Sequence, residues 1–534
     1  MPSRTGIRPL GAARSGDPSS VAPGRRGAVG RVRRGCLALS GLLVGSMMAG
    51  PGCAAPSSDE RVDGRAATPA AEKTGVAERS SDAKPSTGAT GLPKLDPTTP
   101  EGPTPEGPAP EGPAPAYEPR PEDLLEPHRA LEFAENLAPF FDALTAVDEG
   151  ERRVVRVVHL GASMIGADDL PGVLRDKFQA RFGDGGAGLV LLARYMKNYL
   201  HRSVNLDGRG WQFCYIAYRC KSDGRYGLGG TTFWSRGGAT TRITTKGEEG
   251  PGSSASKAEL WYLAQPEGGR FQLRIDGGEP IEVDTDAEVV EDRYHAVDLE
   301  PGPHDVRVKA LGGGLARGYG VVLETDGPGI TWEQFSMLGA FTRRMLEWDP
   351  EHIAGHIGHR SPDLIVFTYG GNDSRRVAAG KLSSDAYFAE YLEAVRRVRA
   401  GKPEAACLIT ALTDRSKSLS INIGEKEMDL LVGTQRRVAE AAGCAFFDSY
   451  SAMGGAGSLA KWAKMQPSMA ATDHKHLNHR GRVVLGGWMY DAVISAYVDY
   501  RRGGGKAVPG AGKPKVVAPP VAPEPNDAPA GTGE

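Results

Sequence analysis

Nearly continuous apolar runs alternate with helical periodicity along much of the chain. Four runs rich in β-branched or aromatic residues are typical of parallel strands buried on both faces, and they lie at residues 154–160, 363–369, 405–412 and 444–448. Apolar positions with helical spacing lie at residues 129–148 (interrupted at Pro139), 386–400, 425–442 and 478–500. This alternation predicts an α/β domain whose parallel sheet is covered by helices on both faces.

The pattern changes to short alternating segments between residues 230 and 326. Apolar and polar residues alternate there in stretches separated by Gly, Pro and Asp, which predicts an inserted all-β sandwich or jelly roll. The sequence DGG at residues 276–278 has the composition of a hairpin turn. Three aromatic residues are candidates for stacking on sugar rings, with packing in the sandwich core as the equal alternative: Trp234, Trp261 and Tyr262.

Proline is concentrated outside the predicted domain. Of the 39 prolines, 12 lie in residues 91–130 and 7 in residues 501–534. Proline fixes φ and has no N–H, and these stretches hold few apolar residues. We therefore expect an extended spacer at residues 54–126 and a tail at residues 503–534, neither with packed structure.

The first 53 residues resemble a bacterial lipoprotein signal. Five arginines between Arg25 and Arg34 precede an uncharged segment at residues 36–50, which has a typical signal length and is too short to span a bilayer. The sequence AGPGC follows and ends at Cys53, which we expect to be lipidated after cleavage. These features predict export to the periplasm or the cell surface, with a membrane anchor at Cys53.

Charge and cysteine content narrow the classes of function. Lys and Arg total 64 against 66 Asp and Glu, and this near-neutral balance argues against a nucleic-acid partner. Cys214 and Cys220 are close enough in sequence to form a disulfide in an oxidising compartment, with two free thiols as the alternative. Cys407 and Cys444 lie in apolar runs and are predicted to be buried core residues.

Histidines form one further pattern. His352, His356 and His359 share a helical face by their spacing, which is a geometry that metal sites use. No acidic or cysteine ligand accompanies them on that face, so we expect a solvated helix face and no metal site.

Three short motifs carry a resemblance to a hydrolase superfamily. HLGAS surrounds Ser163, YGGND surrounds Asn372, and DHKHL holds Asp473 and His476; the motifs follow predicted strands in this order. Together they resemble the SGNH, or GDSL-type, hydrolases, and the surrounding sequence is similar to the exported branch that contains peptidoglycan O-acetylesterases. The resemblance covers most of residues 127–500 and implies a three-layer α/β/α domain with a flavodoxin-like parallel sheet.

The resemblance implies Ser-His-Asp catalysis that needs no cofactor. Ser163 is the expected nucleophile, His476 is the base that takes its proton, and Asp473 is the carboxylate that orients the imidazole. The implied donors to the oxyanion are the N–H of Ser163, a glycine N–H and the Asn372 amide. Gly339 is the preferred glycine because it precedes Asn372 by about one βα unit.

Three positions leave alternatives open. Gly238 is the other candidate for the oxyanion glycine, and His474 is the rival of His476 as the base. Ala162 stands where the family usually has Asp, and because that carboxylate normally supports the turn, we expect activity to survive.

We therefore expect a hydrolase domain made of residues 127–229 and 327–502, interrupted by a β-sandwich at residues 230–326 that has a carbohydrate-binding role. The expected function is removal of O-acetyl groups from an extracellular glycan, with peptidoglycan as the first candidate. The alternatives are a general short-chain carboxylesterase, an O-acetyltransferase, and a catalytically inactive glycan-binding lipoprotein.

Overall fold

The structure, a computed structural model, describes residues 117–125, 131–150, 154–246, 250–418, 421–422, 424–473 and 475–505. The predicted signal, the lipidation site Cys53, His474, and most of the spacer and tail lie outside these residues. All described residues belong to one compact unit, Pro105–Glu534. No helix among them is long and apolar enough to cross a membrane.

The described strands and helices follow one another in a regular order. The strands are β1 Val154–Gly161, β2 Gly188–Leu191, β3 Val204–Arg209, β4 Gln212–Tyr215, β5 Thr231–Ser235, β6 Thr240–Thr245, β7 Ala255–Ala264, β8 Arg270–Ile275, β9 Ile281–Asp284, β10 Glu291–Gly302, β11 Asp305–Gly312, β12 Ala316–Glu324, β13 Gly329–Ser336, β14 Leu364–Thr368, β15 Ala406–Thr410, β16 Ser416–Ser418, β17 Ile421–Asn422 and β18 Ala445–Phe447. The α-helices are α1 Ala138–Asp148, α2 Leu170–Phe182, α3 Pro350–Arg360, α4 Asp373–Ala378, α5 Ser384–Arg399, α6 Glu425–Ala442, α7 Ser449–Met453, α8 Ser458–Lys464 and α9 His479–Arg502. Short 3-10 helices lie at Pro121–Asp123, Ala134–Leu137, Ser163–Asp168, Ile216–Tyr218 and Thr342–Glu347.

The central sheet is parallel throughout and has the strand order β13-β1-β14-β15-β18. The chain leaves β1 to one side, forms β13, and returns to the other side to form β14. This is the flavodoxin-like order, and its switch point lies at the carboxyl end of β1. Open α/β sheets bind their ligands in the crevice at such a point.

Both faces of this sheet are covered, because the strand residues are apolar on both sides. Val155 and Val157 of β1 pack into a core with residues of α1, α2 and α9. Val158 and Leu160 face the other way, into a core that includes residues of α3, α5 and α6. The predicted three-layer α/β/α architecture is therefore confirmed. Pro139 lies in the first turn of α1, where its missing N–H costs no hydrogen bond, so it begins the helix rather than breaking it.

The insert lies in the connection between β1 and β13 and consists of two antiparallel sheets. One has the order β10-β7-β12-β5-β4, with β2 also paired to β12, and the other has the order β3-β6-β11-β8-β9. The predicted all-β insert is present, but its sheets begin near Gly188 rather than at residue 230. The strands β2, β3 and β4 lie in the part of the sequence predicted to belong to the hydrolase domain, and their pairing with β12, β6 and β5 places them in the insert.

The candidate sugar-stacking residues are mostly core residues. Trp261 is fully buried and Tyr262 is 6% exposed, so neither ring is available to a glycan. Tyr262 instead packs against Phe271 of the opposite sheet. Trp234 is partly exposed, and Lys221 Nζ lies 4.0 Å from the centre of its ring.

Residues 117–125, which the sequence assigned to the spacer, contact the domain. Asp123 is 1% exposed and accepts hydrogen bonds from Nε and Nη2 of Arg181, each at 2.8 Å. Arg120 Nη2 donates to Asp148 Oδ1 at 2.7 Å. The folded unit therefore extends upstream of the predicted residue 127, because the buried Arg181 needs carboxylate partners.

The four cysteines beyond residue 53 form two disulfide bonds. Cys214 and Cys220 form the bond that the sequence left open. Cys407 and Cys444 are buried, as predicted, but they are also bonded to each other rather than free. Cys407 lies on β15 and Cys444 directly precedes β18, so the pairing of these strands brings the two sulfur atoms together.

Of the three histidines of α3, His359 is exposed, but the other two are not, so the predicted solvated face is wrong for them. His352 and His356 are buried, and Asp292 of β10 lies with Oδ2 2.6 Å from His352 Nδ1 and Oδ1 3.4 Å from His356 Nε2. Ligand atoms of these three residues lie within 4.8 Å of one another. However, His352 Nε2 accepts the N–H of Gly227, so His352 Nδ1 carries the hydrogen donated to Asp292 and is not free to bind a metal. We interpret the group as a hydrogen-bonded contact between the insert and α3.

Candidate active site

Ser163 stands directly beyond the carboxyl end of β1, at the switch point of the sheet. Gly161 is required there because a Cβ on it would lie 2.8 Å from Thr368 O and 2.9 Å from Ile165 Cδ1. The N–H of Ala162 donates to Thr368 O at 3.0 Å, and Gly161 O accepts the N–H of Met337 at 2.6 Å. The turn that presents Ser163 is therefore fixed from both neighbouring strands.

Ser163, His476 and Asp473 form a continuous hydrogen-bonded chain. Ser163 Oγ lies 2.8 Å from His476 Nε2, and His476 Nδ1 lies 2.5 Å from Asp473 Oδ2. The other carboxylate oxygen, Asp473 Oδ1, accepts the backbone N–H groups of Lys475 at 2.9 Å and His476 at 3.0 Å. The short turn from Asp473 to His476 therefore fixes the carboxylate that holds the ring, and it leaves His476 Nε2 facing the serine hydroxyl.

The surroundings keep the imidazole neutral and the carboxylate charged. Burial lowers the pKa of His476 below its ordinary value of 6.5; the hydrogen bond with Asp473 opposes this, and the positive charge of Arg415 adds to it. Burial acts to raise the pKa of Asp473, but hydrogen bonds from His476 and from the N–H of Lys475 hold it below its ordinary value. A neutral imidazole beside a charged carboxylate is the state in which His476 can accept a proton from Ser163.

The loops with the expected oxyanion donors lie at the same edge of the sheet. Gly339 follows β13 and has φ of +75°, with nothing within 4 Å of a Cβ placed on it. Asn372 follows β14, and its Nδ2 donates to Ala340 O at 2.9 Å while its Oδ1 accepts from Arg375 Nη2 at 3.0 Å. The two loops that flank Ser163 are thus joined by the Asn372 side chain.

The rival positions lie elsewhere or outside the described residues. Gly238 lies in the turn between β5 and β6 of the insert, away from the carboxyl edge of the parallel sheet. His474 lies outside the described residues. Ala162 is buried, and the loop after Ser163 is held by the fully buried ion pair between Asp168 and Arg175, with Nη1 2.8 Å from Oδ2.

Asp169 joins the segments that follow Ser163 and His476, and sequence reasoning missed it. Its Oδ1 lies 2.8 Å from His479 Nδ1, and its Oδ2 accepts a hydrogen bond from Arg482 Nη1 at 3.2 Å. Arg482 Nη1 also donates to Gly166 O at 3.1 Å, in the loop that follows Ser163. The only sequence signal was the presence of Asp after the Ser motif and of His and Arg after the His motif, and nothing in the sequence pairs them.

A small cavity, partly open to solvent, lies beside Ser163. Its lining is mostly apolar and combines the Ser163 turn with the ends of β14 and β15: Ala162, Ser163, Met164, Thr368, Tyr369, Gly371, Ala411, Leu412, Thr413 and Arg415. Gly339 and Asn372 are not among these residues. The cavity can hold a short apolar acyl group next to the serine hydroxyl. Arg415, a second residue that sequence reasoning missed, is the one charged group in this lining.

Comparison with known proteins supports the fold. No family model matches the sequence, and a search of the curated proteins finds no match. The solved structure of a peptidoglycan O-acetylesterase is similar over 69% of this chain and 97% of its own, with a TM-score of 0.56 and 22% sequence identity.

Two further solved structures are more distant. A lipase/acylhydrolase from Enterococcus faecalis matches 31% of this chain and 76% of its own, with 15% identity and a TM-score of 0.25. A family two carbohydrate esterase from Cellvibrio japonicus matches 53% of this chain and all of its own, with 11% identity and a TM-score of 0.20. These two scores are too low to support an argument. The sheet order and the first similarity establish that the chain has the fold of the SGNH/GDSL-type hydrolases, as its three motifs predict.

Proposed function

We propose that the protein is an exported serine esterase that removes O-acetyl groups from a cell-wall or other extracellular glycan, with peptidoglycan as the first candidate. The hydrogen-bonded chain from Ser163 through His476 to Asp473 carries this proposal, because it joins a nucleophile, a base and an orienting carboxylate. The fold supports it, since the similar solved structure is that of a peptidoglycan O-acetylesterase.

The first half of the reaction transfers the acetyl group to the enzyme. His476 Nε2 takes the proton of Ser163 Oγ, and Oγ attacks the carbonyl carbon of the acetyl ester. The negative charge on the carbonyl oxygen is stabilised by the N–H groups of Ser163 and Gly339 and by the Asn372 amide. When the tetrahedral intermediate collapses, His476 gives the proton to the departing sugar oxygen, and acetyl-Ser163 remains.

The second half releases acetate. A water molecule gives one proton to His476 Nε2 while its oxygen attacks the acetyl carbon. The bond to Ser163 Oγ breaks, His476 returns the proton to Oγ, and acetate leaves. Asp473 stays ionised throughout and stabilises the imidazolium that forms in each half. The small apolar cavity beside Ser163 favours an acetyl group over a long acyl chain.

Export and anchoring are part of the proposal. The signal-like segment and Cys53 support placement in the periplasm or at the cell surface, with the Pro-rich spacer between the anchor and the catalytic unit. Mass spectrometry of the mature N-terminus tests this directly. We expect a diacylated or triacylated Cys53, and an unmodified N-terminus at Ala54 would exclude the lipid anchor.

Hydrolysis of a chromogenic acetyl ester by the chain from residue 54 onward, wild type against Ser163→Ala, tests the chemistry. We expect the substitution to reduce the rate at least about 10³-fold without unfolding the protein. Equal rates would remove Ser163 as the nucleophile. The absence of turnover by the wild type on this ester and on acetylated glycans would favour a glycan-binding protein, and acetyl transfer to an added sugar without acetate release would favour a transferase.

A further inference from the structure

An unpaired positive charge lies beside the proposed nucleophile. Arg415 is 7% exposed and lines the same cavity as Ser163. Its Nε is enclosed by protein and has no hydrogen-bond partner, and no carboxylate of the described residues forms an ion pair with its guanidinium. Buried arginines are almost always paired, because removing a charge from water is costly unless a counter-charge replaces the lost hydration.

The charge persists at neutral pH. Burial and the nearby charge of Arg375 lower the pKa of Arg415 only to about 10. Asp473 and Asp373 both act on this charge without forming an ion pair with it: the oxygens of Asp473 are engaged by His476 and by backbone N–H groups, and Oδ2 of Asp373 is engaged by Thr342. The guanidinium of Arg415 is therefore a charged donor group with no partner in the described part of the chain.

The sequence leaves room for this side chain. A Cβ on Gly371, in the YGGND motif, would lie 2.1 Å from Arg415 Nη2, so the glycine admits the guanidinium to the end of β14. Arg415 thus reaches the cavity between the Ser163 turn and the Asn372 loop. A ligand group that meets the guanidinium there belongs to the same molecule whose ester faces Ser163.

We propose that Arg415 forms an anion subsite that binds a carboxylate on the acetylated sugar, so that the enzyme prefers acidic glycans. This inference rests on the proposed esterase function and specifies its substrate class. A planar guanidinium with free N–H groups can donate two parallel hydrogen bonds to one carboxylate. The substrate carboxylate then supplies the counter-charge that Arg415 lacks in the free enzyme. A neutral sugar leaves the charge of Arg415 buried and unpaired.

Matched substrates test the subsite. The kcat/KM for an O-acetylated oligouronate is divided by the kcat/KM for the same oligosaccharide with its carboxylates reduced to alcohols. We expect the wild-type ratio to exceed about tenfold and the ratio for Arg415→Gln to fall close to one. The ratio for Arg415→Lys should lie between these two values, because lysine keeps the positive charge but cannot donate two parallel hydrogen bonds. Arg396→Gln, an exposed arginine on α5, is the control and should keep the wild-type ratio.

Other outcomes overturn the inference. A wild-type ratio near one, or the same ratio in Arg415→Gln, excludes a substrate carboxylate as the partner. If Arg415→Gln lowers inhibition by acetate but leaves the ratio intact, the charge serves the product instead. Failure of the esterase proposal is distinguishable, because neither substrate nor a chromogenic ester would then be cleaved. Removal of an unpaired buried charge should also raise the melting temperature, so misfolding of Arg415→Gln would be visible as the opposite change.

A second, independent observation concerns the sheet β3-β6-β11-β8-β9 of the insert. In the register of β6, β11 and β8, the residues Arg242, Arg307 and Arg274 lie directly opposite one another. Like charges in such cross-strand positions are destabilising. Asp305 Oδ2 lies 2.9 Å from Arg242 Nη2 and 2.7 Å from Arg307 Nη2. Arg274 forms no ion pair within the described residues.

The arginine row lines an open cleft on this face. Arg209, Lys309 and Asp207 also line the cleft, and Asp207 Oδ2 lies 2.8 Å from Arg209 Nη2. We infer that the arginine row, meaning Arg242, Arg307 and Arg274, binds an extended acidic polysaccharide. Charge complementarity carries this inference, because a strand of sugar carboxylates supplies the counter-charge that Arg274 lacks and adds to the single carboxylate that Arg242 and Arg307 share.

Binding to the Ser163→Ala protein tests the arginine row without turnover. We expect Arg274→Gln combined with Arg307→Gln to weaken calorimetric binding of an oligouronate at least about tenfold and to reduce its salt dependence. The carboxyl-reduced oligosaccharide should not compete. Arg236→Gln, an exposed arginine between β5 and β6, is the matched control. Unchanged affinity of the double variant would overturn the inference. Loss of binding in Arg415→Gln would then place the acidic sugar at the Arg415 subsite instead.

Discussion

Asp169 Oδ1 lies 2.8 Å from His479 Nδ1, and this contact joins the loop that follows Ser163 to the segment that follows His476. Asp169 is largely buried, and Arg482 adds a second bond from the same helix, α9. The distance between Ser163 Oγ and His476 Nε2 depends on these two segments, which lie at opposite ends of the chain. We therefore regard Asp169 as a positioning residue.

Asp169→Asn should lower kcat about tenfold with little change in KM, because misplacement of the base costs reactivity rather than substrate binding. Steady-state kinetics on a chromogenic acetyl ester checks this. The reciprocal change His479→Gln is the matched control and should produce a smaller loss, since Arg482 still holds Asp169. If the decrease in kcat of Asp169→Asn is fully explained by a smaller fraction of folded protein, the positioning role is contradicted.

The value of kcat/KM should rise with pH, and the midpoint of this rise should lie below pH 6.5. Protonated His476 cannot take the Ser163 proton, and burial lowers the His476 pKa, so the active neutral form persists to lower pH than for an exposed histidine. The pH dependence of kcat/KM measures this midpoint. A midpoint at or above the ordinary histidine value would contradict the described surroundings of His476.

Asp473→Asn should reduce the rate about 10³- to 10⁴-fold, because the amide no longer stabilises the imidazolium or selects its tautomer. The same change removes a carboxylate that raises the His476 pKa, so the remaining activity should have a still lower midpoint. Both quantities come from one pH series. A rate loss without the downward shift would mean that Asp473 acts through the turn alone.

Asn372→Ala should lower kcat about 10²- to 10³-fold, as expected for loss of an oxyanion donor. Asn372→Asp is the informative companion, because it keeps the shape but replaces the amide donor with a negative charge. We expect Asn372→Asp to lower kcat at least as much as Asn372→Ala does. Equal activity of the Asp variant and the wild type would exclude both the oxyanion role of Asn372 and any need for its hydrogen bond to Ala340 O, since the Asp side chain can make neither.

The two disulfides should differ in their effect on stability. Cys407 and Cys444 are 37 residues apart, whereas Cys214 and Cys220 are 6 residues apart. Loop-closure entropy predicts that the longer loop contributes about 4 kcal/mol and the shorter one about 2 kcal/mol. Paired Cys→Ala variants in denaturant titrations check the order. A larger loss from the short loop would contradict the entropic account.

Much of the fold was readable from the sequence because it depends on local patterns. Buried parallel strands are continuously apolar, and the runs at residues 363–369 and 405–412 therefore predicted β14 and β15. The three motifs named Ser163, Asn372 and His476 as site residues through their resemblance to a hydrolase superfamily. The strands β2, β3 and β4 escaped assignment to the insert, since that assignment depends on pairing with β12, β6 and β5, which the local sequence does not show.

The sequence by itself determined the alternation of strands and helices, the presence of a β insert, and the residue types available for acyl transfer. Only the tertiary structure decided which distant residues meet. The pairs Asp169 with His479 and Asp292 with His352, and the disulfide between Cys407 and Cys444, all depend on strand register and helix packing. The unpaired charge of Arg415 is also a tertiary fact. A sequence pattern reports the local environment of each segment, whereas pairing across the chain is set by the global packing that minimises exposed apolar surface and unpaired charge.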